Sequence, residues 1–148
     1  MSETLTDQQK TDLLEEKLRN ESITWNANIE NLVRDSKRIE KLAESQVYML
    51  SYRQILVDKL VDMKNLITRK SSSNYAYLRD RWRFYRTQFD LKLQDKEIKE
   101  FINADMCESL SQIEMLKNQI EYYRSSIDTV DKLGFAIKNR ILIEQYNL

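Results

Sequence analysis

The chain has no histidine and no proline, and among its 148 residues it carries one glycine, Gly134, and one cysteine, Cys107. Each scarcity removes a class of chemistry. Without histidine the commonest general base, the usual activator of a nucleophile and the commonest metal ligand are missing. A single glycine cannot build a phosphate-cradling loop, and no Cys/His set exists for zinc. Carboxylate pairs such as Glu97 with Glu100 read as solvated helix charge, so the residues assign no catalytic group, no metal and no cofactor. Cys107 has no internal disulfide partner. Its acidic neighbours Asp105 and Glu108 disfavour a thiolate, so it reads as a small helical residue in a reducing compartment.

Average usage in a chain of this length gives roughly seven prolines and ten glycines. Their near absence leaves few tight turns. Abundant Leu, Ile, Lys, Glu, Gln and Arg favour long helices with solvated faces. Lys plus Arg and Asp plus Glu number 24 each, so any affinity for nucleic acid has to come from local clustering. The start, Met-Ser-Glu-Thr-Leu-Thr-Asp, is polar and acidic, unlike a secretory signal. The longest apolar runs, such as Ile55-Leu56-Val57, fall far short of the ~18 residues that span a bilayer. The expectation is a cytoplasmic protein with no membrane partner.

The fold class expected is all-α. Thr6 and Gln9 have capping-box spacing before a polar helix over 7–19, within an N-terminal segment 1–22. Apolar positions from Trp25 to Ile67 recur three or four apart and predict one long helix over about 23–70. Ser71-Ser72-Ser73-Asn74 reads as a linker. It opens a basic-aromatic connector over 71–95, whose alternating Phe89, Leu91 and Leu93 suggest an extended segment. Asp95 is the expected N-cap of a short helix with Ile98, Phe101 and Ile102 on one side.

Residues 96–148 form the C-terminal helical region. Asp105 and Glu108 have capping-box spacing, and a heptad follows with Ile113, Ile120, Ile127, Gly134 and Ile141 at a and Leu116, Tyr123, Val130 and Ile137 at d. This is a coiled-coil seam, so these nine positions are the expected oligomerisation residues. Gly134 at an a position implies either a cavity or a close approach of two backbones.

The segment 69–86 departs from this pattern. It carries Arg69, Lys70, Arg79, Arg81, Arg83 and Arg86 against one acid, Asp80, with Trp82, Phe84 and Tyr85 interleaved and Tyr75 and Tyr77 before them. Arginines near phosphates give affinity through counterion release, and aromatic faces stack on unpaired bases. The pattern suits single-stranded nucleic acid. An amphipathic helix with an aromatic core face and a solvated arginine face is by itself a sufficient explanation.

Three strings carry a resemblance. They are Arg79-Asp-Arg81-Trp-Arg-Phe84-Tyr85; Lys96-Glu-Ile-Lys-Glu-Phe-Ile with Ala104-Asp105 and Glu121-Tyr122-Tyr123; and Gly134-Phe-Ala-Ile-Lys-Asn139. In this order and spacing, over roughly 75–146, the chain resembles the UvsY-type recombination mediator proteins of T-even-like bacteriophages. It departs from the family at Leu133, where arginine is frequent, and at Arg86-Thr87-Gln88, which replaces a glycine-containing basic turn. The resemblance implies a homo-oligomeric ring, heptameric in the family, joined through C-terminal helices and located in the cytoplasm of the infected host cell. It implies binding of single-stranded DNA and loading of a phage recombinase onto strands covered by single-strand-binding protein. Arg79 and Arg81 occupy the family's DNA-contact positions. Arg83, Arg86, Lys70, Trp82 and Tyr85 join them on the charge and stacking argument. The competing expectation is a structural coiled-coil adaptor or virion component that binds no DNA.

Overall fold

The computed structural model describes residues 4–147 and contains four α-helices and one 3-10 turn. Helix α1 spans Asp7–Ser36, α2 Leu42–Thr87, α3 Asp95–Asp105 and α4 Cys107–Tyr146, with the 3-10 turn Ile39–Lys41 between α1 and α2. No strand occurs among the described residues. At 1.5 Å per residue the 46 residues of α2 extend about 69 Å and the 40 of α4 about 60 Å, so both are long rods.

Helix α1 begins at the expected cap. Thr6 Oγ1 accepts from Gln9 N–H at 3.2 Å and Gln9 Oε1 accepts from Thr6 N–H at 2.9 Å, satisfying two otherwise orphaned donors. The helix then continues without interruption past residue 22. Thr11, Leu18, Trp25 and Leu32, seven residues apart each time, are its buried side chains, and they form a single stripe. The boundary expected at 22/23 is therefore absent. The break comes instead at 37–41, inside the stretch read as one helix over 23–70. There the polar run Arg34-Asp-Ser-Lys-Arg38 separates the apolar positions, and the chain reverses between buried Leu32 and buried Leu42.

Helices α1 and α2 run antiparallel, and α4 returns along both of them. Trp25 meets Tyr52 edge-on at 5.5 Å, Lys59 bonds Glu21, and Arg53 bonds Asp131 at 2.7 Å. Trp25, Leu56, Tyr123 and Val130 form the core of this three-helix bundle. The α4 seam is legible in the sequence, but its partner is within the chain. Ile113, Leu116, Ile120, Tyr123, Val130 and Ile137 are all buried against α1 and α2. Ile127, Gly134 and Ile141 are half-buried, and Ile127 packs beside Tyr123 and Val130. The seam therefore closes the protomer and needs no second chain to bury it. At Gly134 the close neighbour is a side chain rather than a backbone: an added Cβ would lie 3.0 Å from Met49 Cε.

The linker expected at 71–74 is helix. Ser71, Ser72, Ser73 and Asn74 sit inside α2, held because Lys70 Nζ donates to Gln112 Oε1 at 2.7 Å and Ser109 Oγ donates to Asn74 Oδ1 at 2.7 Å. Tertiary bonds to α4 outweigh a weak local propensity. The alternation at 89–93 is not a strand either. Residues 88–94 are irregular, with Phe89 and Leu93 tucked against Tyr85, Ile98 and Ile102 while Leu91 is exposed. Gln94, not Asp95, caps α3, in a capping box with Glu97. At the next junction Met106 separates α3 from α4 with no side-chain cap, so the box expected from Asp105 and Glu108 does not form.

Candidate nucleic-acid interface

The last turns of α2, from about Leu78 onward, carry the chain past the three-helix bundle, and α3 folds back along them as an antiparallel clasp. One face of α2 is apolar there and packs on α3: Tyr85, Ile98, Ile102 and Met106 form a second core, flanked by Leu78, Trp82, Phe84, Phe89 and Leu93. The aromatics are set edge-on or tilted, with Phe84, Tyr85, Phe89 and Phe101 centroids 5.2 to 6.1 Å apart. Most of the aromatic content of the basic segment is therefore core.

This core takes two of the expected binding residues inward. Tyr85 is buried, donates its hydroxyl to Asp105 Oδ2 at 2.7 Å and accepts from Arg81 at 3.1 Å. It has no face free to stack on a base. Arg81 bonds Asp105 at 3.2 Å, and its guanidinium lies 4.6 Å from the Phe84 ring centroid and 5.0 Å from that of Tyr85. Its hydrogen bond to Tyr85, with the Asp105 charge behind it, raises the guanidinium pKa further above its ordinary value. The hydrogen bond to Asp105, followed by burial, raises that of Tyr85. Arg81 and Tyr85 thus fasten α2 to α3.

Lys70 is also turned inward, through Gln112, whose amide in turn donates to Thr11 Oγ1 at 3.0 Å. This chain of bonds crosses all three helices of the bundle. Arg86 bonds Asp95 at 3.0 Å and lies 4.9 Å from the ring centroid of half-buried Trp82. These two form a stacked pair at the clasp's edge.

The remaining arginines face solvent together. Arg69, Arg79 and Arg83 fall within about 80° of one another on the helix wheel and span about 21 Å of axis. All three are exposed. Arg69 and Arg83 enter no ion pair among the described residues, and Arg79 has only a 3.8 Å approach to Asp80, both exposed and of little energetic weight. Tyr75, one turn before Arg79, is 74% exposed. The sequence placed Tyr75 before the arginines without singling it out as a contact. Three residues before Leu78 and seven before Trp82, it has the spacing of a core position, so no signal in the sequence marked it as exposed. The other missed residue is Asp105, which the sequence offered only as a cap.

No group of three or more His, Cys, Asp or Glu side chains suited to a metal occurs among the described residues. Among the described residues no helix is long and apolar enough to cross a membrane. No family model, curated protein or solved structure matches the chain.

Proposed function

We propose that this protein binds single-stranded DNA along the outward face of α2 and acts as a recombination mediator, helping a recombinase load onto strands covered by single-strand-binding protein. The observation that carries the binding reading is the set Arg69, Arg79 and Arg83: three exposed guanidiniums on one helix face, none neutralised by a close acid, in a chain whose formal charge is zero. Exposed guanidiniums, with no intramolecular partner closer than the 3.8 Å approach of Asp80 to Arg79, are available to phosphates, and counterions released from the strand supply the affinity. The mediator role, the two protein partners and a heptameric ring rest on the resemblance to UvsY-type proteins.

Self-association multiplies such patches and raises effective concentration for one strand. With the α4 seam used inside the chain, the exposed apolar side chains left for it include Val47, Leu50 and Val61 on the outward face of α2, and Phe135, Leu142 and Tyr146 on α4. The same exposed side chains favour the second reading, a structural adaptor whose helices meet only proteins.

Fluorescence anisotropy of a labelled oligothymidine across a salt series, with a matched duplex as competitor, separates the two. For single strands the log-log slope is about −0.7 per phosphate neutralised. Steep salt dependence with preference for the single strand supports the mediator. Absence of binding at low salt leaves the adaptor.

A further inference from the structure

Helix α2 and the start of α4 border an open cavity of about 280 Å³ on the flank of the arginine face. Its walls are mainly apolar: Tyr75 and Leu78 from α2, Met106 at the α3–α4 junction, and Leu110 and Ile113 from α4. Its volume lies just below the roughly 300–1,000 Å³ of sites for drug-sized ligands, a scale that suits one planar ring system.

Two polar groups mark it. Asn74 lines the cavity; its Oδ1 accepts from Ser109, while its Nδ2 is buried and donates to nothing in the protein. That Nδ2 atom is closed off from solvent, so the groups open to a ligand here are the apolar walls, Tyr75 and Lys117. Lys117, exposed and held only by Glu114 at 3.3 Å, stands at the α4 side. Tyr75 leaves most of its ring in solvent at the cavity wall, and Arg79 follows one turn later, about 6 Å along the axis.

We infer that this cavity is a subsite for one unpaired nucleobase. The base stacks on Tyr75 over the apolar walls, while its phosphate stays with Arg79. Apolar walls, an exposed aromatic face and a neighbouring guanidinium match the parts of a single nucleotide. Duplex DNA keeps its bases stacked and cannot supply the ring. This subsite rests on the single-strand reading above and adds to it a contact with the base.

The test compares two labelled probes of equal length, oligothymidine and a fully abasic strand, by anisotropy with circular dichroism as a control for helicity. Base stacking on an aromatic makes oligothymidine bind about tenfold tighter than the abasic strand. Tyr75→Ser removes that preference and Tyr75→Phe keeps it. Leu110→Trp, which places an indole in the cavity from a position already 43% exposed, removes the preference and leaves the abasic strand's affinity unchanged. Equal affinity of the natural chain for both probes, or a preference that survives Tyr75→Ser and Leu110→Trp, overturns the subsite and leaves the arginine face standing. Failure to bind either probe overturns both.

Discussion

The Tyr85 hydroxyl and the Asp105 carboxylate meet at 2.7 Å, and this contact fixes which face of the basic helix is inside. It joins the last turns of α2 to the end of α3, with Arg81 bonded to both partners. With Tyr85 inside, Trp82 and Phe84 follow it onto the second core, while Arg79 and Arg83 are carried outward.

Tyr85→Phe therefore lowers stability without touching the arginine face. A hydrogen bond to a charged group contributes about 1.5–3 kcal/mol, part of which remains because Arg81 still holds Asp105. The expected loss is about 1–2 kcal/mol in urea unfolding, with an unchanged slope. Asp105→Ala costs more, since it leaves both Tyr85 and Arg81 without their acceptor.

The core tyrosines make the fold sensitive to alkali. Burial pushes the Tyr123 phenol up to about 12, with Glu21 adding to it, and burial likewise raises Tyr52 and Tyr122. A phenol raised in the folded state keeps its proton longer than in the unfolded chain, where it ionises near 10. The stabilisation is complete below about pH 10 and is lost as pH rises from there towards 12. Thermal midpoints should stay level with respect to these groups up to that window and fall above it. Tyr123→Phe should flatten the fall.

Gly134 lies mid-helix, where glycine costs about 1 kcal/mol relative to alanine. A Cβ there meets Met49 Cε at 3.0 Å and Sδ at 3.3 Å, the flexible end of an adaptable side chain. Gly134→Ala is expected to stabilise by less than about 1 kcal/mol, and Gly134→Leu, which drives a branched side chain into Met49, to destabilise. Calorimetric melting of both variants checks the pair.

Ser45 is 1% exposed, and its hydroxyl has no hydrogen-bond partner. Removing an unpaired buried polar group and adding a better helix former act in the same direction. Ser45→Ala should raise the melting temperature, by about 1 kcal/mol of stability.

What the sequence disclosed, and what it withheld, follows from the range of the forces involved. The Thr6–Gln9 box is local and was legible. The heptad on α4 was legible as a buried stripe, but a stripe does not say whether its partner is another chain or α1 and α2 of its own. Asn74 looked like a linker residue because its propensity is weak; its bond to Ser109, 35 residues away, is invisible to local reading. The turn at 37–41 has no glycine or proline to mark it, and only the polar run Arg34–Arg38 hinted at it. In the basic segment the interleaving of aromatics and arginines was plain. Which of them face solvent depended on α3, and that sorted Arg79 and Arg83 from Arg81 and Tyr85.

The most direct measurement is the affinity of Arg79→Ala/Arg83→Ala for labelled oligothymidine at low salt, beside its urea unfolding curve. The account predicts affinity at least tenfold weaker, a salt slope reduced by about 1.4 for two lost phosphate contacts, and unchanged stability, because both side chains are exposed. Affinity and slope equal to those of the natural chain would contradict it and remove the outward face of α2 as the site of DNA binding.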